Sequence, residues 1–148
     1  CSGFDSPSDR HLIMNIVTLS LLILCYSLVL GIIFAQVLLT APVVFKVLDN
    51  QNASNFLRKI FPRYYLLLLL ITLVALLVSY LFFQQTDVYF AFTAVCFSFL
   101  GYVIIPLTNA ARDRGWEKVF KFFHNFSVFN TLIILVISIT QIVRVTYL

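Results

Sequence analysis

LIMNIVTLSLLILCYSLVLGIIFAQVLLTAPVVF, residues Leu12–Phe45, is a run of 34 residues without a single charged side chain. Three further stretches without Asp, Glu, Lys or Arg follow at residues 64–86, 88–111 and 122–143. The hydrocarbon core of a bilayer is about 30 Å thick and needs roughly 20 helical residues, so each stretch is long enough for one crossing. The apolar/polar alternation typical of a membrane β-strand is absent from these stretches. The sequence therefore predicts an all-α integral membrane protein with four transmembrane helices.

The composition supports this class. Of 148 residues, 61% are hydrophobic and 11% are charged, with a mean hydropathy of +1.01. Soluble domains average about 45–50% apolar and about 25% charged residues. These values exclude a soluble enzyme, a disordered linker and a nucleic-acid binder, despite the net charge of +4. We expect a single membrane domain over residues 1–148, with a polar tail at 1–11 and spans at about 12–40, 64–84, 88–108 and 122–144.

The first stretch is longer than one crossing requires. At about 1.5 Å per residue, its helix would reach about 50 Å. Pro42 has no backbone donor and crowds the preceding turn. We therefore predict that the first helix ends near Thr40. Gly115 is expected to close the helix that extends beyond the third span.

The lysines and arginines indicate the orientation. Eight of them follow the first and third spans, whereas Arg10 and Arg144 are the two on the other side. The eight are Lys46, Arg58, Lys59, Arg63, Arg112, Arg114, Lys118 and Lys121. The positive-inside rule then places both termini on the non-cytoplasmic side. The predicted location is a bacterial inner membrane or an equivalent organelle membrane.

The chain reads as two similar halves. Pro42 and Asp49 recur as Pro106 and Asp113 with the same spacing. Between the spans of each half lies a short segment with an apolar face and a basic face, at residues 56–61 and 116–123. We predict that each forms a short amphipathic interfacial helix whose cations contact anionic lipids. The alternative is that the two segments jointly hold an anionic ligand or the acidic surface of a partner.

Asn109, Arg112 and Asp113 have helical spacing and share one face. They form either a salt-bridged helix end or a polar contact that holds the halves, or a partner, together through Asp49 and Asp113. Gly31 and Ala35 lie four residues apart, which predicts a close helix crossing by the small-xxx-small rule. The candidate lipid or partner contacts are Lys46, Asp49, Arg58, Lys59, Arg63, Asn109, Arg112, Asp113, Lys118 and Lys121.

The sequence carries little chemistry. No nucleophile motif, phosphate loop or paired carboxylate appears, and no ionisable group is expected at mid-membrane depth, which argues against a pump. We predict no enzymatic activity, no catalytic or metal site and no cofactor. Copper(I) binding by Cys25, Cys96 or Met14 fits their soft sulfur ligands, although no ligand spacing supports it.

Three motifs resemble the transmembrane protein 205-like family. They are APVVFKVL at 41–48, IFPRYY at 60–65 and NAARD at 109–113. This family consists of small four-span proteins of unknown function and is distantly similar to copper-resistance D-type membrane proteins. The resemblance implies the four-span fold and an association with metal or drug tolerance. A related haem-dependent oxidase carries a histidine in its first span, and this chain has none there.

We therefore expect a non-catalytic transmembrane accessory subunit that packs against other integral membrane proteins and takes part in complex assembly. The alternative is a small-molecule or copper tolerance or transport protein. For the N-terminus we weigh two interpretations: a lipidated Cys1, or a usual start at Met14 preceded by an extension.

Overall fold

Apolar runs of this length form helices because a backbone in lipid must satisfy its own hydrogen bonds. The computed structural model describes residues 7–82 and 85–147, and its four long helical rods are each apolar and long enough to cross a membrane. This confirms the prediction of an all-α multi-pass membrane protein. The elements are α1 (Pro7–Phe34), a π-helical segment (Ala35–Thr40), α2 (Ala41–Val47), α3 (Asn50–Phe82), α4 (Gln85–Asp113) and α5 (Glu117–Tyr147). Cys1, whose lipidation is one interpretation of the N-terminus, lies outside the described residues.

The helices form an antiparallel bundle with a square arrangement. α1 packs against α3 and α5, and α4 packs against the same two helices. Within the described residues no Cα atom of α1 lies within 8 Å of a Cα atom of α4, so the two helices are diagonal to each other. The turns at 48–49 and 114–116 lie at the same end of the bundle, together with most of the lysines and arginines. We call this the basic end, and the end where α3 meets α4 the Asp87 end.

The expected end of the first helix at Thr40 is wrong. The rod continues through Pro42 to Val47 and ends at Leu48, whose backbone is extended (φ −101°, ψ 145°). The π-helical segment explains the continuation, because the Ala41 N–H bonds back five residues to the Gln36 carbonyl. Pro42 follows this wider turn at the start of α2, where a missing N–H is tolerated. The segment also turns the Gln36 side chain inward.

The amphipathic segments are not separate interfacial helices in the described structure. Residues 56–61 belong to α3, which runs without interruption through Pro62, and residues 117–123 are the first turns of α5. With 33 residues, α3 is about 50 Å long and extends beyond a hydrocarbon core. Phe61 packs against the bundle core. A helix that already has an amphipathic start can therefore continue straight into its span.

The predicted helix stop at Gly115 is confirmed. Gly115 adopts a left-handed backbone (φ +67°) after α4. Its N–H bonds to the Arg112 carbonyl at 3.1 Å, and the Trp116 N–H bonds to the Ala111 carbonyl at 3.0 Å. This double hydrogen bond is the Schellman motif, which favours glycine at this position.

Tyr65 forms a junction of three helices in the centre of the bundle. Its ring, on α3, lies directly on Gly101 of α4, where a Cβ atom would overlap it. Its hydroxyl contacts α5 at Thr131 Oγ1 (2.8 Å) and at Ser127 Oγ (2.9 Å). Asn130 adds a hydrogen bond from α5 to the Phe97 carbonyl of α4 at 2.9 Å. α3, α4 and α5 are thus held in one register by polar contacts inside an apolar core.

Gly101→Ala should destabilise the bundle by about 1–3 kcal/mol, the usual cost of overpacking a filled core. Tyr65 cannot move aside without losing its contacts to α5. The measurement is the free energy of unfolding by SDS in mixed micelles. The matched control is Gly31→Ala, because nothing lies within 4 Å of a Cβ atom there. Equal stability of the two variants would contradict the junction.

Candidate functional site: a buried polar cluster around Asp87

Asp87 is a fully buried carboxylate inside the bundle, with 0% of its surface exposed. Its Oδ1 accepts a hydrogen bond from Gln141 Nε2 at 2.6 Å. The same oxygen lies 3.4 Å from a guanidinium nitrogen of Arg144, whose side chain is 25% exposed. The Arg144 guanidinium also stands over the Phe90 ring at 5.3 Å from its centroid. The cluster joins α4 to α5 at the Asp87 end.

Asp87 and Gln141 lie on the buried faces of their helices because of their positions in the helical repeat. On α4 the buried positions run Asp87, Ala91, Ala94, Ser98 and Gly101, which is one face of a helix. Gln141 belongs to the corresponding buried face of α5. Arg144 lies three residues after Gln141 and so projects from a neighbouring position. Asp87 also stands in the first turn of α4, where the helix dipole favours an anion.

The cluster was missed by the sequence analysis. Asp87 borders a charge-free stretch and follows a polar turn, a pattern typical of a loop residue. The available signal was the pair Gln141 and Arg144 near the end of an apolar run. That signal gains meaning only when the register of α4 against α5 is known. An ionisable side chain enclosed in a membrane bundle is a functional-site candidate, because burial without pairing is costly.

The basic end carries a second ion pair. Arg58 of α3 donates to both carboxylate oxygens of Asp113 on α4, with one nitrogen–oxygen distance of 3.1 Å. Their side chains are 32% and 57% exposed. Asp113 thus connects the first half of the chain to the second. Asp49 has a local role, since it precedes α3 and accepts a hydrogen bond from Asn52 at 2.6 Å.

The other predicted contact residues lie on the same end without forming one compact site. Asn109 is half-buried, whereas the Arg112 guanidinium lies 5.5 Å from the centroid of the Phe120 ring. Arg112 is exposed, and the other exposed cations among the predicted contacts are Lys46, Lys59, Arg63, Lys118 and Lys121. They supply a basic surface around the turns.

The described chain forms no close helix crossing at Gly31 and Ala35, so a crossing there stays a prediction for a helix from outside it. Both residues are exposed, and no described atom outside their own helix lies within 4 Å of a Cβ atom built on Gly31. The core face of α1 is the opposite one, with Leu22 and Tyr26. Small residues show where a backbone can be approached closely, but they do not identify the approaching helix. Among the glycines of the described residues, Gly101 is the one that another helix approaches closely.

The thiols considered for copper are separated. Cys25 is buried on α1 and Cys96 is half-buried on α4, and these two helices are diagonal. Over residues 7–82 and 85–147 no group of three His, Cys, Asp or Glu side chains is placed to hold a metal ion. Met14 is exposed on α1.

These features define a multi-pass helical membrane protein with a buried polar cluster at one end and a basic surface at the other. The chain belongs to the family described as a domain of unknown function, DUF4149, which matches residues 24–117. The matched region includes Asp87, Arg58 and Asp113 and ends before Gln141. No curated protein and no solved structure matches the chain.

Removing Arg144 and removing Asp87 should lower the free energy of unfolding by different amounts. Arg144→Met leaves the fully buried Asp87 charge without its cation and should cost about 3 kcal/mol, the lower part of the range for buried pairs. Asp87→Asn leaves a cation that keeps a quarter of its surface exposed, so its cost should be smaller. The double variant should recover part of the Arg144→Met loss. Additive losses in unfolding free energy would show that the two groups do not interact.

The exposed pair Arg58–Asp113 should contribute much less to the free energy of unfolding. Arg58→Ala and Asp113→Ala should each lower the free energy of unfolding by no more than about 1 kcal/mol. The effect should shrink with added salt, which screens exposed charges. Reversing the pair, Arg58→Asp with Asp113→Arg, should restore stability, and Lys59→Ala is the control for loss of a neighbouring cation. A loss that is unchanged by salt or by reversal would contradict an ion-pair role.

Proposed function

We propose that this protein is a non-catalytic transmembrane subunit that packs within a larger membrane protein complex and stabilises it. The observation that carries the proposal is the outward face of α1. Gly31 lies at the centre of this face, about 180° around the helix from the core residue Leu22. Ser27 and Ala35 flank it four residues away on either side, and both are exposed. Three small residues in this pattern allow the backbone of another helix to come close.

The interior of the bundle is filled by side chains, which favours a function on the outer surface. Tyr26 and Tyr65 fill the space between helices in the described structure, and Gly101 is itself covered by the Tyr65 ring. The residues free to meet another molecule are those on the outer faces. Among them Ser27, Gly31 and Ala35 form a strip of small residues on α1, which the large apolar side chains of Leu24, Leu28 and Phe34 border.

We also propose that the protein contacts anionic lipids, and the basic end supports this part of the proposal. Lys59, Arg63, Lys118 and Lys121 are exposed around the turns of this end. Trp116 is half exposed beside them, as is common for aromatic residues at a membrane interface. Each such cation adds about 1 kcal/mol of attraction to an anionic leaflet. If the positive-inside rule holds, this end faces the cytoplasm of a bacterial inner membrane or its organelle equivalent, with both termini on the other side.

A second candidate is a small-molecule or copper tolerance protein. The resemblance to the transmembrane protein 205-like family, and through it to copper-resistance D-type proteins, favours this function. The free thiols Cys25 and Cys96 are the soft ligands it would use. Since they lie on diagonal helices, each would need further ligands from elsewhere.

Gly31→Leu should weaken binding of the partner without destabilising the chain itself. The new side chain occupies open space on the outward face and improves helix propensity by about 1 kcal/mol relative to glycine. The measurement is gentle-detergent purification from native membranes, with quantitative mass spectrometry of co-eluting proteins. Wild type should recover a stoichiometric complex, and Gly31→Leu should recover about tenfold less partner, a coupling of roughly 1.4 kcal/mol.

Thr93→Leu is the matched control for that experiment. Thr93 is exposed on α4, and its hydroxyl donates to the Tyr89 carbonyl of its own helix at 2.7 Å. This variant should keep the partner. Recovery of wild type alone as a stable monomer would overturn the subunit proposal. Copper bound stoichiometrically to that monomer, and lost in Cys25→Ser or Cys96→Ser, would support the second candidate.

A further inference from the structure

The cluster around Asp87 contains more hydrogen-bonding capacity than the protein uses. Within the described residues, Asp87 Oδ2, Gln141 Oε1 and one terminal nitrogen of Arg144 have no hydrogen-bond partner. The Ser79 hydroxyl and the Tyr26 hydroxyl are also buried without a partner in this part of the chain. Tyr26, Ser79, Asp87 and Gln141 are each 0% exposed. Buried polar groups in native proteins are nearly always hydrogen-bonded, so this concentration requires an explanation.

Ser79 stands at the level of Asp87. Tyr65 of α3 lies on Gly101 of α4, which fixes the register of this antiparallel pair. Ser79 is fourteen residues after Tyr65, and Asp87 is fourteen residues before Gly101. The same number of residues along two antiparallel helices covers the same distance, so Ser79 and Asp87 face each other. Both lie on the buried faces of their helices.

Tyr26 reaches the same region from α1. It packs in one cluster with Ala75 of α3 and Val145 of α5. Ala75 is one turn before Ser79, and Val145 is one turn after Gln141. The unpartnered atoms therefore come from all four long helices and converge near the turn between α3 and α4.

The donors and acceptors define the ligand. The carboxylate and amide oxygens of Asp87 and Gln141 need a donor, whereas the Arg144 guanidinium needs an acceptor. A metal cation cannot accept a hydrogen bond and is repelled by Arg144. An anion is repelled by Asp87. A small neutral molecule that both donates and accepts satisfies all of them, and water is the molecule that proteins use for this purpose.

We infer that Tyr26, Ser79, Asp87, Gln141 and Arg144 form an internal water-binding site within the bundle. The water keeps the second oxygen of Asp87 solvated in an otherwise apolar interior and links all four long helices through hydrogen bonds. Arg144, the partly exposed member, marks where this water exchanges with the outside. The site is independent of any partner of the outward α1 face.

Hydroxyl-radical footprinting by synchrotron X-rays tests the site, because radicals formed from a bound water label adjacent side chains. The full chain in lipid nanodiscs provides its own control. Tyr26 and Tyr65 are equally buried tyrosines, but the Tyr65 hydroxyl is fully engaged with α5. Tyr26 should be labelled about tenfold faster than Tyr65, and should carry ¹⁸O after mixing with H₂¹⁸O. Labelling of Tyr26 as slow as that of Tyr65 would overturn the inference.

A pair of serine variants identifies the contacts of the water. Ser79→Ala removes one hydroxyl from the site and should slow the labelling of Tyr26 by about threefold or more. Ser98→Ala is the matched control, since Ser98 is also a buried serine without a partner among the described residues, but lies three turns along α4 from Asp87. It should leave Tyr26 labelling unchanged. Equal effects of the two substitutions, including no effect of either, would contradict the site as defined.

Discussion

The packing of Tyr65 on Gly101 is the contact on which the rest of the bundle depends. Inside a membrane there is little hydrophobic force between helices, so their register comes from close packing and from polar contacts. The Tyr65 ring needs the missing side chain of Gly101, and its hydroxyl needs Ser127 and Thr131. These demands can be met together in one register of α3, α4 and α5. That register then aligns Ser79 with Asp87 near the far end of α3 and α4.

The two ion pairs show how burial changes the role of the same chemistry. α4 supplies the acid in both pairs, Asp87 near its start and Asp113 at its end. At the basic end Arg58 and Asp113 share a wet surface, where their attraction is weakened by water and salt. At the Asp87 end the carboxylate has no surface exposed to bulk solvent, so its pairing with Arg144 and Gln141 offsets a desolvation cost instead of adding stability to an already solvated charge. The Arg58–Asp113 pair is suited to orienting α3 against α4, and the Asp87–Arg144 pair to holding a polar site in an apolar interior.

The sequence could predict what depends on composition and periodicity. Charge-free runs such as Leu12–Phe45 specify spans because lipid excludes unsatisfied backbone, and the left-handed position of Gly115 follows from its lack of a side chain. It could not predict that the helix continues past Pro42, since this depends on a π-helical turn whose hydrogen bonds are set by the surrounding packing. Asp87 was missed for a related reason. Its partners lie more than fifty residues away, and only the assembled register brings them together.

The structure separates the surface that builds the bundle from the surface available to a partner. On α1, Leu22 and Tyr26 face the core, while Gly31 faces away from it with open space around its backbone. A glycine there weakens the isolated helix, because alanine is favoured at such a position by about 1 kcal/mol. Nothing within the described chain compensates for that loss. A close contact with another membrane helix would, because the missing Cβ atom lets the two backbones approach and gain dispersion energy along their length. The outward glycine therefore argues for a partner more directly than the large apolar residues around it, which lipid tails satisfy equally well.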